Sequence, residues 1–206
     1  MTDQPAPPTR WELTVVGEKW DWYVDRFDRQ YREGADLDGE ARFIDMMAAR
    51  GSRILDGGCG TGRVSGALHR MGHRVIGVDR DAGLIDIARS RYPGPSFLVS
   101  DLLRAPAALA TSGEPDSFDV IALPGNVMVY LAPGTERDVL RVLAGLLVPG
   151  GRLVTGFHTD REYRVDALDA DAVAVGLVVE HRFATWHLDP WHDGAEWAVT
   201  VLRRPA

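Results

Sequence analysis

The chain has 206 residues, 23 Lys and Arg against 30 Asp and Glu, and a formal net charge of −7, which suits one domain with a sizeable core and speaks against affinity drawn from nucleic-acid phosphates or an anionic membrane surface. No apolar run approaches the ~20 residues of a membrane span, and the opening MTDQPAPPTR lacks the apolar segment of a secretory leader. The single cysteine, Cys59, rules out an intrachain disulfide and fits a reducing compartment, so the expectation is a cytoplasmic protein with no membrane partner.

Residues 1–10 carry three prolines and little to bury, and read as a loose tail. The rest, 11–206, reads as one domain. Residues 11–50 look helical, with aromatic and aliphatic side chains at Trp20, Tyr23, Val24, Phe27, Phe43 and Ile44 and a break over 34–39; they are expected to form an N-terminal helical cover. From Arg53 short β-rich runs alternate with helical ones: RILD, then GRVSGALHRM; RVIGVD, then DAGLIDIARSRY; SFLVSD; FDVIAL, then TERDVLRVLAGLL; GRLVTGF. Such alternation builds a parallel sheet covered by helices on both faces. Asp81 and Thr135 suit helix N-caps, and Gly72 and Gly150 fall just past helix ends. DADAVAVGL reads as a short helix capped by Asp169. Two long strands then follow, LVVEHRFATWHL and AEWAVTVLRR, joined by DPWHDG; a closing hairpin of this kind adds antiparallel pairing to the sheet.

The turn DGGCGTGR, residues 56–63, sits between a strand and a helix, where free N–H groups face any ligand. A phosphate-binding P-loop needs Lys and Ser or Thr after its last glycine, and Arg63-Val64 stand there instead. A dinucleotide fingerprint wants G-x-G-x-x-G. Counted from Gly58 or Gly60, its last glycine falls on Arg63 or Ser65, which weakens that reading without removing it. Asp56, directly before the turn, would repel a pyrophosphate lying on it and suits a ligand that is cationic there.

An acidic residue followed by alternating glycines, Asp56, Gly58, Gly60 and Gly62, resembles the first motif of the class I S-adenosylmethionine-dependent methyltransferases, in particular their small-molecule branch. The resemblance covers roughly Trp20 to the C-terminus, most of it as pattern. It implies a Rossmann-like, seven-stranded, mostly parallel sheet of order 3-2-1-4-5-7-6 and S-adenosylmethionine as cofactor. Asp79, 21 residues after Gly58, would grip both ribose hydroxyls, as an acid at that place also does for NAD. Asp101 would accept from the adenine amino group, Arg80 would lie over the adenine, and the backbone of Leu102 would meet its ring nitrogen. The carbonyls of Gly57 and Leu123 are implied as acceptors for the ammonium, Arg63 as facing the methionine carboxylate and Tyr23 as closing the pocket. Cys59 reads as a small buried filler within this cofactor loop, not a nucleophile.

Transfer from a sulfonium is an in-line displacement in which alignment supplies much of the rate, so no fixed catalytic triad is expected. The fourth strand runs into LPGNVMVYLAP, which lacks the [DNS]-P-P-[FYW] of nucleic-acid amino-methyltransferases; with the acidic balance, this leaves a small molecule or a peptide side chain as acceptor and no nucleic acid. Asn126 is the candidate substrate contact, and His158 and Tyr130 are the candidate catalytic residues, His158 because imidazole titrates near working pH. Trp11, Trp20 and Trp22 read as core or lid contacts, Trp186, Trp191 and Trp197 as hairpin packing, and Asp116, Asp119, Asp166 and Asp171 as turn or cap residues. His187, Asp189, His192 and Asp193 cluster near the closing turn without coordinating spacing, so no metal is expected. The resulting expectation is a methyltransferase acting on a small organic acceptor through O, N or C, as a monomer or homodimer. Two alternatives stay open: a cofactor-binding sensor or partner protein without transfer activity, and a nicotinamide oxidoreductase.

Overall fold

Seven strands make one sheet in the computed structural model, which describes residues 6–206. They are β1 (Arg53–Gly57), β2 (Arg74–Asp79), β3 (Ser96–Val99), β4 (Phe118–Leu123), β5 (Leu147–His158), β6 (Val178–Phe183) and β7 (Trp197–Arg203), in spatial order β3-β2-β1-β4-β5-β7-β6. The pairings from β3 across to β5 are parallel, and β7 runs antiparallel to both β5 and β6. The helices are α1 (Arg10–Thr14), α2 (Glu18–Arg32), α3 (Gly39–Met47), α4 (Arg63–Arg70), α5 (Ala82–Arg91), α6 (Ala105–Ser112), α7 (Val127–Tyr130), α8 (Glu136–Leu146) and α9 (Val165–Ala174). None is long and apolar enough to cross a membrane.

Strands buried on both faces explain the continuous apolar runs. Successive side chains point to opposite faces: Ile54 joins Phe43, Leu68, Val75 and Val199 on one side, while Leu55 joins Leu109, Phe118, Leu140 and Phe157 on the other. The strand order reverses between β1 and β4, and their carboxyl ends open a crevice where such sheets bind ligands.

Local chemistry sets the boundaries. Asp81 caps α5 by accepting from the Leu84 N–H at 3.1 Å. Thr135 precedes α8, but its hydroxyl donates to the Ala132 carbonyl at 2.7 Å instead of capping. The expected short helix at 169–177 begins four residues earlier, at Val165, which places Asp169 inside it and opposite Arg182. The expected long strand 177–188 stops at Phe183, because Thr185 donates to Asp189 at 2.6 Å and turns the chain. Helices α6 and α7 carried no periodic signal; APAALATS is nearly all small, leaving a proline in its first turn as the only helix-start mark.

The expected loose tail over 1–10 lies partly outside the described residues, and within them it is corrected. Thr9 and Glu12 form a capping box at the start of α1. Arg10 pairs with Glu136 at 2.8 Å and Glu162 at 2.9 Å. These residues fasten the N-terminal segment to α8 and to the loop after β5. Asp171, read as a turn or cap residue, is buried on α9 and takes Arg137 at 2.8 Å and the Tyr163 hydroxyl at 3.0 Å.

Candidate active site

Beyond the carboxyl ends of β1, β2 and β4, under α1 and α2, lies a cavity of about 680 Å³. Asp56 is on its wall, fully buried at the end of β1. Oδ2 accepts from the Ser65 hydroxyl at 2.5 Å, and Oδ1 has no partner among the described residues. Burial pushes this carboxyl up to about 7, against the pull of Ser65 and Arg63.

The glycine turn is clipped to β2. The N–H groups of Gly58 and Cys59 donate to the Val78 carbonyl at 2.7 and 3.1 Å, and that of Gly60 donates to Asp79 Oδ2 at 2.8 Å. Three glycines of the turn combine a positive φ with no room for a Cβ, and at Gly58 (φ +68°) that atom would stand 2.7 Å from Val127. Gly60 has φ +54° and a Cβ there would stand 2.7 Å from the Tyr23 hydroxyl; Gly62 has φ +79° and a Cβ there would stand 2.8 Å from Ala88 and 2.9 Å from Phe97. Of the loop residues expected at the ligand, Gly58 and Cys59 line the cavity. Gly57, Gly60, Gly62 and Leu123 are not on its wall; Gly57 is packed behind the Leu123 and Leu102 side chains, and the Leu123 carbonyl accepts from Thr155 at 3.4 Å. Cys59 is buried and its thiol is held above its ordinary value by desolvation and then by the negative charge of Asp56.

Asp79 lines the cavity next to that loop and also accepts from the Asp81 N–H at 2.9 Å; burial raises it to about 6, against these backbone donors. Asp101 closes the series as both a cap, accepting from the Leu103 N–H at 2.8 Å, and a charge partner. Leu102 lines the cavity beside it. Arg80, expected over an adenine ring, lines the cavity and reaches Asp101 at 3.0 Å, Glu12 at 2.9 Å and the Pro7 carbonyl at 2.8 Å. Arg63, expected to face a carboxylate ligand, is occupied by Glu40 at 2.6 Å and the Leu37 carbonyl. In both cases internal acceptors converge on the guanidinium.

The cover contributes more than sequence reading found. Trp20 and Trp11 both donate their indole N–H to Asp81 Oδ2, at 2.8 and 3.3 Å, while Oδ1 of the same carboxylate caps α5. Trp11 then meets Tyr23 edge-on at 4.7 Å and Tyr130 at 5.4 Å, so one indole bridges the glycine turn and α7. Trp22, Arg26 and Phe27 also line the cavity. The spacing 19, 22, 23, 26, 27 on α2 was the available signal, since such positions share one helix face.

At the other end stand Asn126, Tyr130, His158 and Trp197. Asn126 has φ +72°, and its side-chain oxygen accepts from the His158 N–H at 2.9 Å, tying the β4 loop to the end of β5. That spends the carbonyl half of its amide on the fold. His158 Nδ1 lies 3.3 Å from the Glu196 carbonyl and its ring meets Trp197 edge-on at 4.5 Å. A carbonyl only accepts, so this contact places the proton on Nδ1 and the lone pair on Nε2 of the neutral ring. Among the described residues no three His, Cys, Asp or Glu side chains converge on a common metal position.

Comparison with known proteins agrees with this geometry. The methyltransferase-domain family matches residues 54–151. A magnesium-protoporphyrin O-methyltransferase of Rhodobacter capsulatus is 34% identical over 152 residues, covering 70% of this chain and 60% of that protein. A ubiquinone biosynthesis O-methyltransferase of Xanthomonas campestris is 34% identical over 114 residues, covering 53% and 46%. The chain therefore spans about half to three-fifths of these curated relatives. A TehB-like SAM-dependent methyltransferase of Corynebacterium glutamicum, solved as a crystal structure, superposes with a TM-score of 0.82 at 37% identity, covering 89% of this chain and 97% of that one. Near-complete coverage at that identity, on a sheet of the same order and an acid-led glycine turn, means that the chain belongs to the class I S-adenosylmethionine-dependent methyltransferases.

Proposed function

We propose that the protein transfers a methyl group from S-adenosylmethionine to a small organic acceptor. The observation that carries this is the half-satisfied carboxylate of Asp56: a buried Oδ1 without a partner, on the cavity wall beside the glycine turn, fits a ligand that brings a cationic N–H donor and not one that brings phosphate. When bound, the cofactor supplies a sulfonium methyl that is displaced in line, its electron pair returning to sulfur.

The residues of this chain divide between the two ends of the cavity. Asp79 holds the ribose hydroxyls, and Asp101 with the Leu102 backbone meets the adenine edge once Arg80 shares or yields its carboxylate. Tyr23 closes over Gly60. At the far end, Tyr130 walls the acceptor against Trp11, Asn126 positions His158, and His158 takes the acceptor's proton at Nε2 where the acceptor has one to lose. The net charge of −7 supports a free small molecule over nucleic acid, and we place the enzyme in the cytoplasm as a monomer or homodimer.

Isothermal titration of the whole chain tests the reading. S-adenosylhomocysteine is expected to bind and NAD to give no heat; the reverse result overturns it.

A further inference from the structure

The far end of the cavity is one connected group of residues. The Asn126 N–H donates to the Gly156 carbonyl at 2.9 Å, the Asn126 side-chain oxygen takes the His158 N–H at 2.9 Å, and the Asn126 carbonyl takes the Tyr130 N–H at 3.2 Å. His158 stands opposite Trp197 in the β5–β7 pairing, and the two rings meet edge-on. Trp11 meets Tyr130 from the cover. Trp197 is wedged with Trp186 over Gly156, where a Cβ would stand 2.4 Å from Trp186 and 3.1 Å from the Trp197 indole nitrogen.

Charge is spread unevenly around the same cavity. Its carboxylates stand at or just past the ends of β1, β2 and β3 or on α1, α2 and α3. Its Lys and Arg stand on α2, at the start of α4 and just past β2. From Pro124 to Leu131, at the end of β5 and at the start of β7, the described lining residues include no carboxylate, Lys or Arg. An ammonium or carboxylate on the acceptor would be desolvated there without a counter-ion. Walls of aromatic rings favour a flat apolar body instead.

The basic atom at this end is His158 Nε2, since Nδ1 faces the Glu196 carbonyl at 3.3 Å. Behind Nδ1 is thus a backbone carbonyl and not the carboxylate that steadies an imidazolium in Ser-His-Asp sites. Such a base suits a phenol, which ionises near ~10, better than an aliphatic hydroxyl, which ionises near the ~16 of water. We propose that the acceptor is a flat aromatic molecule methylated on a ring hydroxyl. This class rests on the function proposed above. The phenol oxygen bonds to the methyl carbon as the carbon–sulfur bond breaks, the electron pair of that bond stays on sulfur, and the phenolic proton passes to His158 Nε2 and on to water. The products are an aryl methyl ether and S-adenosylhomocysteine.

Transfer assays on the full chain with S-adenosylmethionine test the class, setting phenols of one to three rings against the benzylic alcohol, amine and carboxylate of the same ring systems. Phenols are expected to be methylated about tenfold faster or more than any matched compound. His158→Gln is expected to slow an ordinary phenol about 10²–10⁴-fold, but a nitrophenol, already ionised at pH 8, by less than about tenfold. A matched alcohol, amine or carboxylate methylated faster than its phenol overturns the class. So do equal losses for the two phenols in His158→Gln that still binds S-adenosylhomocysteine, or no phenol methylated by wild-type protein that binds it. Wild-type protein that does not bind S-adenosylhomocysteine overturns the function itself, and the class with it.

Discussion

Ser65 donates a 2.5 Å hydrogen bond to one oxygen of Asp56, and the other oxygen of that buried carboxylate has no partner among the described residues. Strand β1 therefore ends in a group whose ionised form the ligand-free fold disfavours. Its titration near 7 lies well above the ordinary carboxylate range. A site that holds such a group gives up stability for binding.

Asp56→Asn is expected to stabilise the ligand-free protein at alkaline pH. The folded-state value of Asp56 is raised, so its favourable contribution is fully present below the unfolded value near 4 and is lost as pH rises through about 7. Asparagine carries no charge to desolvate, so the variant should gain of order 1–3 kcal/mol at pH 8, with the difference closing toward pH 4. Urea unfolding at both pH values measures this; a variant less stable than wild type at pH 8 would contradict it. Asp79, raised to about 6, repels Asp56, so loss of the Asp56 charge also eases ionisation of Asp79 and adds to the gain at pH 8.

Cofactor affinity should depend on pH through the same group. An ammonium against Asp56 favours the ionised form, so below about pH 7 binding must expel a proton. The affinity for S-adenosylhomocysteine is expected to fall on acidification by up to about tenfold per pH unit. In Asp56→Asn the profile flattens and the affinity at pH 8 drops. Identical profiles in the two proteins would place the ammonium elsewhere.

Asp79→Ala is expected to weaken S-adenosylhomocysteine by roughly 1–3 kcal/mol, the range for hydrogen-bonding groups left unpaired. The same change removes the acceptor for the Gly60 and Asp81 N–H groups, so Asp79→Asn, which keeps one acceptor oxygen, provides a control for loop order. An unchanged dissociation constant in Asp79→Ala shows that this carboxylate does not hold the ribose.

His158→Gln separates transfer from cofactor binding. For an acceptor that must lose a proton, transfer should drop by about 10²–10⁴, the usual contribution of a positioned base. S-adenosylhomocysteine affinity should stay at the wild-type level, because His158 lies at the far end of the cavity with Trp197 and Asn126. Full activity in the variant assigns proton removal to another group.

The strands and the three strand-end acids were legible because their signals are local. RVIGVD and FDVIAL coincide residue for residue with β2 and β4, since strands covered on both faces need a near-continuous apolar run. Asp56, Asp79 and Asp101 all line the cavity, as the ends of parallel neighbours must lie side by side. Helix α6 escaped because small residues leave no apolar stripe. The hairpin was drawn too long because alternation continues through Thr185, where a side-chain hydrogen bond stops the strand.

What the sequence determined by itself was the succession of strands and helices and the acid-led glycine turn, because each is written in a few consecutive residues; the spatial order of the strands came only through the family that this turn resembles. What only the tertiary structure decided was the allocation of charge across the site. Sequence places Arg63 beside the glycine turn and Arg80 beside Asp79 but cannot show that Glu40, Glu12 and Asp101, 21 to 68 residues away along the chain, already hold them. Nor can it show that Asp81 serves two indoles from the cover, or that Arg26, unlike Arg63 and Arg80, has no acid partner among the described residues. Pairing of long, flexible side chains depends on which surfaces the fold brings within ~3 Å, and a linear chain carries no local mark of that.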